Sequence, residues 1–173
     1  MTMEEADILI GNPNNVPIKK FDVPDLGISQ CDMKAVDFIF ELNNEIIFLE
    51  IKDPDNPDAE ASRKAKFVDE IKNGELRKKL AKKCRDSFIY EYSMNNLKNK
   101  PVRYIVLLCL NSLGTPELMT QTDLLRKHIP VDGPLNKQWE KKFIDNCQIL
   151  NIQAWNSEFS EFPISRKSEQ AKK

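Results

Sequence analysis

The chain has 173 residues, 40% of them hydrophobic and 31% charged, with a formal net charge of −1 at pH 7. That is the size and make-up of one globular domain, and the near-neutral balance excludes a global field that draws the chain to nucleic acid, so any such affinity has to come from local patches. The longest apolar run, Tyr104 to Leu110, falls far short of the roughly 20 residues of a membrane helix, and the acidic start (Glu4, Glu5, Asp7) lacks the basic-then-apolar order of a signal peptide, so a cytoplasmic protein with no membrane partner is expected.

A first strand is expected near Val16 to Phe21. Two runs rich in β-branched and aromatic residues follow, Val36 to Leu42 and Glu45 to Lys52, on either side of Asn43-Asn44. Asparagines tolerate left-handed φ, so this pattern predicts a hairpin. In the second run Ile47, Leu49 and Ile51 point one way, while Ile46 and Phe48 share the other face with Glu50 and Lys52. Apolar residues on both faces predict a central strand. Asp53-Pro54-Asp55-Asn56-Pro57 breaks it, and Pro57 suits the first turn of a helix running to about Lys72, stopped at Asn73-Gly74.

A second helix is expected from Glu75 to about Met94, with Leu76, Leu80, Cys84 and Phe88 along one side. Lys78, Lys79, Lys82 and Lys83 fall on the other, with Arg85 at the margin. Pro101 ends the helical region and Val102 to Leu110 reads as a buried strand. Helices are expected over Pro116 to His128 and Pro134 to Cys147, and a last strand over Gln148 to Trp155. Trp139, Phe143, Trp155 and Phe159 are expected to pack this end against the sheet, or to serve a homodimer interface if exposed. The order predicts an α/β domain over residues 1–162, a central mixed sheet flanked by helices, and a flexible polar tail over 163–173.

The chemistry gathers on the hairpin. A two-residue loop at Asn43-Asn44 fixes the register and faces Asp37 with Glu50. Directly opposed residues have Cβ atoms about 4.5–5.5 Å apart on one face of the sheet, so two carboxylates converge beside apolar surroundings. Lys52 lies on the same face, about 6–7 Å further along the strand. Two such anions repel unless a positive charge lies between them; one lysine answers this in part and a divalent cation more fully. Asp37, Glu50 and the Ile51 backbone carbonyl are hard oxygen donors, suited to Mg²⁺ or Mn²⁺. Such a cation activates water and offsets phosphate charge, which is the equipment for phosphodiester hydrolysis. The plainer alternative is a solvated strand end at which Glu50 and Lys52 pair with each other or with Glu41.

Asp37, twelve intervening residues and then Glu50-Ile51-Lys52 resemble the motif of the PD-(D/E)xK nuclease superfamily, which includes restriction endonucleases, Holliday-junction resolvases and repair nucleases. The resemblance extends over roughly residues 1 to 111. It implies a three-layer α/β/α restriction-endonuclease-like fold, metal binding by Asp37 and Glu50, positioning or activation of the attacking water by Lys52, and DNA as substrate. Val36 stands where the motif name has proline, and no Gln-x-x-x-Tyr follows the lysine, unlike the RecB-like branch. An additional acid on a first helix, as the superfamily often has, would be Glu4 or Glu5.

Between Arg63 and Arg85 stand ten basic residues against three acids. Next to a phosphodiesterase centre, a basic face binds phosphate backbone without reading sequence. Lys79, Lys82, Lys83 and Arg85 are the candidate contacts, with a simple solvated helix face as the alternative. A second functional reading is a nuclease-like domain without chemistry, acting as a nucleic-acid-binding or protein-interaction subunit.

Other chemistries find little support. Cys31, Cys84, Cys109 and Cys147 are widely spaced, which argues against a zinc site and for reduced, buried thiols. His128, the one histidine, falls at a predicted helix end where the dipole favours a cation. Gly114-Thr115-Pro116 lacks the lysine of a nucleotide-binding P-loop.

Overall fold

The structure, a computed structural model, describes residues 2–170 except for 132, 135, 136, 138 and the side chain of Ser29. The chain opens with an antiparallel pair, β1 (Thr2–Glu5) and β2 (Ile8–Gly11), and enters the main sheet through β3 (Ile18–Lys20). Two 3-10 turns lead to the hairpin β4 (Phe38–Glu41) and β5 (Ile46–Lys52). Helices α1 (Ala61–Asn73) and α2 (Glu75–Ser93) form the crossover to β6 (Val102–Leu108), and α3 (Thr115–Arg126) forms the crossover to β7 (Asn146–Leu150). The chain closes with α4 (Ile152–Glu158), β8 (Ile164–Arg166) and a single turn, α5 (Lys167–Gln170).

The main sheet has five strands in the order β3-β4-β5-β6-β7. It is mixed: β3, β4 and β5 run antiparallel, whereas β5, β6 and β7 are parallel, as helical crossovers require. The hairpin register is the expected one, with Phe38 opposite Leu49 and Glu41 opposite Ile46. Strand β5 is central and buried along its length except at Lys52, because it has a strand on each side and apolar layers on both faces.

Those layers divide the residues of β5 by parity. Ile46 and Phe48, with Tyr104, Val106, Cys147 and Ile149, pack beneath Ile71 of α1, Leu76, Leu80 and Cys84 of α2, and Leu118 and Leu125 of α3. Ile47, Leu49 and Ile51, with Phe38, Phe40, Ile105 and Leu107, pack against Trp155 of α4 and against Ile8, Ile10 and Ile164 of a second sheet, β1-β2-β8. The protein is thus α/β, with a mixed sheet flanked by helices, one face being shared with a small second sheet. Among the described residues no helix is long and apolar enough to cross a membrane.

Several expectations need correction. The first helix begins at Ala61, four residues after Pro57, because Asp55 ties the preceding turns to the end of β6: its carboxylate accepts from Asn111 N (2.7 Å) and pairs with Lys64 (2.5 Å). Its end at Asn73 is as expected, with Gly74 at φ 85° turning the chain into α2. No helix occupies the described residues between Gly133 and Asp145, and Cys147 lies in β7; positions 135, 136 and 138 of that expected helix lie outside the described residues. The last strand stops at Leu150 because the Asn151 side chain accepts from Ala154 N (2.8 Å) and caps α4, so Trp155 is helical. Trp155 and Phe159 pack as expected, whereas Trp139 is 41% exposed.

The flexible tail expected from 163 onward is instead part of the fold through residue 170; residues 171–173 lie outside the described range. Strand β8 pairs with β2, and buried Arg166 forms a two-pronged ion pair with Asp53 (2.7 and 3.0 Å) and a third bond to Asp7 (3.0 Å). A polar composition concealed one buried arginine with two buried acids waiting for it.

Candidate active site

The hairpin carries Asp37 and Glu50 to the end of β5 where its parallel neighbour β6 also finishes, the edge at which open α/β sheets usually bind ligands. Asp37, immediately before β4, continues the register that pairs Phe38 with Leu49, and so faces Glu50. Its position is secured from three sides. Its carbonyl accepts from Phe21 N (2.8 Å), its Oδ2 accepts from Ile51 N (2.6 Å), and the preceding Val36 N donates to Ser87 Oγ of α2 (3.0 Å).

Glu50 is fully buried, on the face covered by α2. The strand end is therefore not solvated at Glu50, although the pairing of Glu50 with Lys52 that the plainer alternative expected is present. Lys52 extends from the same face and contacts Glu50 Oε1 at 2.5 Å. The second cation at the site is Lys83 of α2, whose Nζ lies 2.8 and 3.0 Å from the two Glu50 oxygens and 3.4 Å from Asp37 Oδ1, with Asp22 at 3.6 Å on the open side. The two carboxylates therefore share one cationic group.

Lys83 belongs to the site, not to the outward basic face expected from the sequence. The signal was in the spacing: Leu76, Leu80, Lys83 and Ser87 follow a four-three-four stripe, and the other three are buried against the sheet. Lys78, Lys79 and Lys82 do point outward, each paired with an acid: Glu75 (2.7 Å), Glu70 (2.7 Å) and Asp86 (3.0 Å). Arg85 lies apart from them and donates to the His128 carbonyl at the end of α3 (3.0 Å).

Burial is the largest influence on both carboxyl groups and pushes each pKa upward. For Glu50, Asp37 adds to that effect while Lys52 and Lys83 oppose it. For Asp37, the opposition comes from Lys83, the Ile51 N–H and Lys52, and the charge of Glu5 adds to the upward push. On Lys83 burial acts against the charge, but Glu50, Asp37 and Asp22 outweigh it and raise the ammonium to about 12. The lysine stays charged, and the two lysines do not fully compensate the carboxylates for their lost hydration.

The donors suit a hard divalent cation. Two carboxylates already meet at one cationic position, and the Ile51 peptide edge is turned toward Asp37. Among the described residues no group of three His, Cys, Asp or Glu side chains is placed to hold a metal, so the chain's share would be Asp37, Glu50 and the Ile51 carbonyl. The expected acid on a first helix is not there: Glu4 and Glu5 lie on strand β1, paired with Lys167 (3.0 Å) and Lys20 (3.0 Å). The four cysteines are free, and all but Cys31 are buried.

On the far side of Lys52 and Lys83, and not lined by Asp37 or Glu50 themselves, opens a cleft of about 480 Å³, bordered by Lys34, Lys52, Lys79, Lys82 and Lys83 around an apolar floor of Phe67, Leu76 and Leu80, with Glu70 as its one acid. Of the four basic residues expected to meet phosphate, Lys79, Lys82 and Lys83 border this cleft and Arg85 does not. Lys34 joins them without a signal in the sequence; it arrives from the segment before Asp37, its backbone N–H held by Asp86 (2.8 Å). Comparison with family models, curated proteins and solved structures finds no match for this chain.

Proposed function

We propose that this protein is a metal-dependent nuclease that hydrolyses phosphodiester bonds, with DNA as substrate and a restriction-endonuclease-like arrangement of its sheet and helices. The observation that carries the reading is the convergence of Asp37 and Glu50 on one cationic position at the end of β5, with Lys52 on the same face. A buried carboxylate pair is costly, and burial holds both groups above the ordinary carboxylate range, so a fold gains nothing in stability from keeping them. Such pairs are found where charge is needed for binding or chemistry.

In this reading Asp37, Glu50 and the Ile51 carbonyl hold Mg²⁺ or Mn²⁺, which when bound polarises the phosphate and lowers the pKa of water. Lys52, partly exposed at the strand end, orients the attacking water and offsets charge on the phosphate. Lys34, Lys79 and Lys82 border the cleft and hold the polymer by its backbone, without sequence readout.

The test is cleavage of plasmid, linear duplex and single-stranded DNA with Mg²⁺ or Mn²⁺ by the wild type, Lys52→Ala and Glu50→Ala. Wild-type cleavage that is lost in both folded variants is the expected result. DNA binding with no cleavage under any of these conditions would replace this reading by that of a non-catalytic nucleic-acid-binding subunit.

A further inference from the structure

Among the described residues, Lys83 is the only one whose cationic group contacts both buried carboxylates. Its Nζ occupies the position at which a cation shared by Asp37 and Glu50 belongs, whereas Lys52 reaches Glu50 alone and from the open side. Lys83 also borders the lysine-lined cleft, and its side chain is 18% exposed. A flexible four-carbon stem on a fixed helix lets the ammonium turn from the carboxylates into that cleft without any movement of the backbone.

Charge counting decides how the site responds to an arriving divalent cation. The ammonium groups of Lys52 and Lys83 face the buried carboxylates of Asp37 and Glu50 and the exposed carboxylate of Asp22. A divalent cation between Asp37 and Glu50 turns that net negative charge positive and competes with an ammonium for the same position, which favours the departure of one ammonium. The group that leaves is the one standing between the carboxylates.

We propose that Lys83 is an internal substitute for the divalent cation: it holds Asp37 and Glu50 together in the metal-free protein and is displaced into the cleft when Mg²⁺ or Mn²⁺ enters. The inference rests on the metal-site reading above and adds an exchange to it. Metal binding then raises the positive charge of the cleft by one ammonium at the place where phosphate is to be held. Binding of the metal and binding of the polyanion thereby favour each other.

Mn²⁺ binding to the full chain, followed by the paramagnetic resonance signal of the free ion, tests this with the wild type, Lys83→Met and Asp37→Asn. The expected result is Mn²⁺ binding at least roughly tenfold tighter in Lys83→Met than in the wild type, and its loss in Asp37→Asn. Equal or weaker binding by Lys83→Met, with wild-type binding intact, would overturn the exchange and leave the metal site standing. Absence of Mn²⁺ binding from both the wild type and Lys83→Met would overturn the metal site and the exchange together.

A second measurement needs no destabilised variant. In the wild type, the side-chain ammonium resonance of Lys83, assigned by its loss in Lys83→Arg, should shift and lose its protection from solvent exchange as Mg²⁺ is added. A resonance unmoved at Mg²⁺ concentrations that saturate the site would show that Lys83 stays on the carboxylates, contrary to the proposal.

Discussion

The backbone N–H of Ile51 donates to Asp37 Oδ2 at 2.6 Å, so the side chain that precedes β4 is held by the main chain of the strand carrying Glu50. One carboxylate oxygen is thereby committed to the hairpin itself, while Oδ1 stays turned toward the cationic position that Glu50 shares. The geometry of the site follows from hairpin register, and α2 closes it from above.

Removing a charge at this site has opposite consequences on its two sides. Released lysines at positions 52 and 83 can reach water, but Glu50 and Asp37 cannot. Glu50→Gln is therefore expected to stay within about 1 kcal/mol of wild-type stability, or to exceed it, because burial already favours the uncharged acid. Lys83→Met is expected to cost about 3 kcal/mol by leaving two buried anions short of a partner. Urea unfolding at pH 7 without metal measures both, and an equal loss in the two variants would contradict this account.

The pH dependence of that loss has a definite sign. Both carboxyl groups titrate above their ordinary range in the folded protein, so between the ordinary and the raised values the native state holds more protons than the unfolded one. Stability in that window falls as pH rises. The deficit of Lys83→Met relative to wild type should accordingly shrink as pH is lowered from 7 toward 5; a deficit that grows on acidification would show that the carboxylates are not its source.

Asp7 behaves in the opposite sense. Burial pushes its carboxyl up, but the Ser168 N–H and hydroxyl and the Arg166 guanidinium outweigh burial and hold it below the usual carboxylate range. Its stabilisation is therefore present above the ordinary pKa of about 4 and lost as pH falls through the lower folded value. Asp7→Asn should cost about 2 kcal/mol at pH 7, and less as the wild type itself protonates in acid. Deleting residues 164–173 should cost more still, since it also strips Ile164 from the core and β8 from β2. Thermal unfolding as a function of pH measures both variants.

Under the proposed function, Lys52→Met should lower cleavage by about 10²–10⁴-fold at a stability cost of about 1–2 kcal/mol, less than that of Lys83→Met, because it takes from buried Glu50 one of two cations while Lys83 still contacts both carboxylates. Comparable losses of activity and of thermal stability would assign Lys52 a structural part instead.

Lys79→Ala and Lys82→Ala should weaken DNA binding and leave the catalytic step of bound substrate nearly unchanged. Each should reduce the slope of log binding constant against log salt by about one. Their ion pairs with Glu70 and Asp86 lie at the surface, so stability should move by less than about 1 kcal/mol. A changed single-turnover rate with an unaltered salt slope would remove them from the phosphate path.

The sequence by itself determined the hairpin and therefore the face that Asp37, Glu50 and Lys52 share, because a two-residue loop and a period of two leave one register that buries the apolar residues. It also determined the stop at Gly74, the extent of α2 and the central place of β5. These are local decisions, taken within a few residues of the atoms concerned.

The ends of β7 and α4 were not legible in the same way. Asn146 to Leu150 is a strand because β6 offers it an edge, and Trp155 is helical because Asn151 caps a turn packed on the far face; apolar residues at this spacing are compatible with either form. Arg166 looked like one charge in a polar tail, and only the meeting of β8 with β2 brought it to Asp7 and Asp53, 159 and 113 residues away in the chain. Lys83 shares the site with carboxylates 46 and 33 residues away for the same reason. Local sequence sets the direction of a side chain along its own helix or strand, but the charge it finally neutralises depends on which other element the tertiary fold packs against that face.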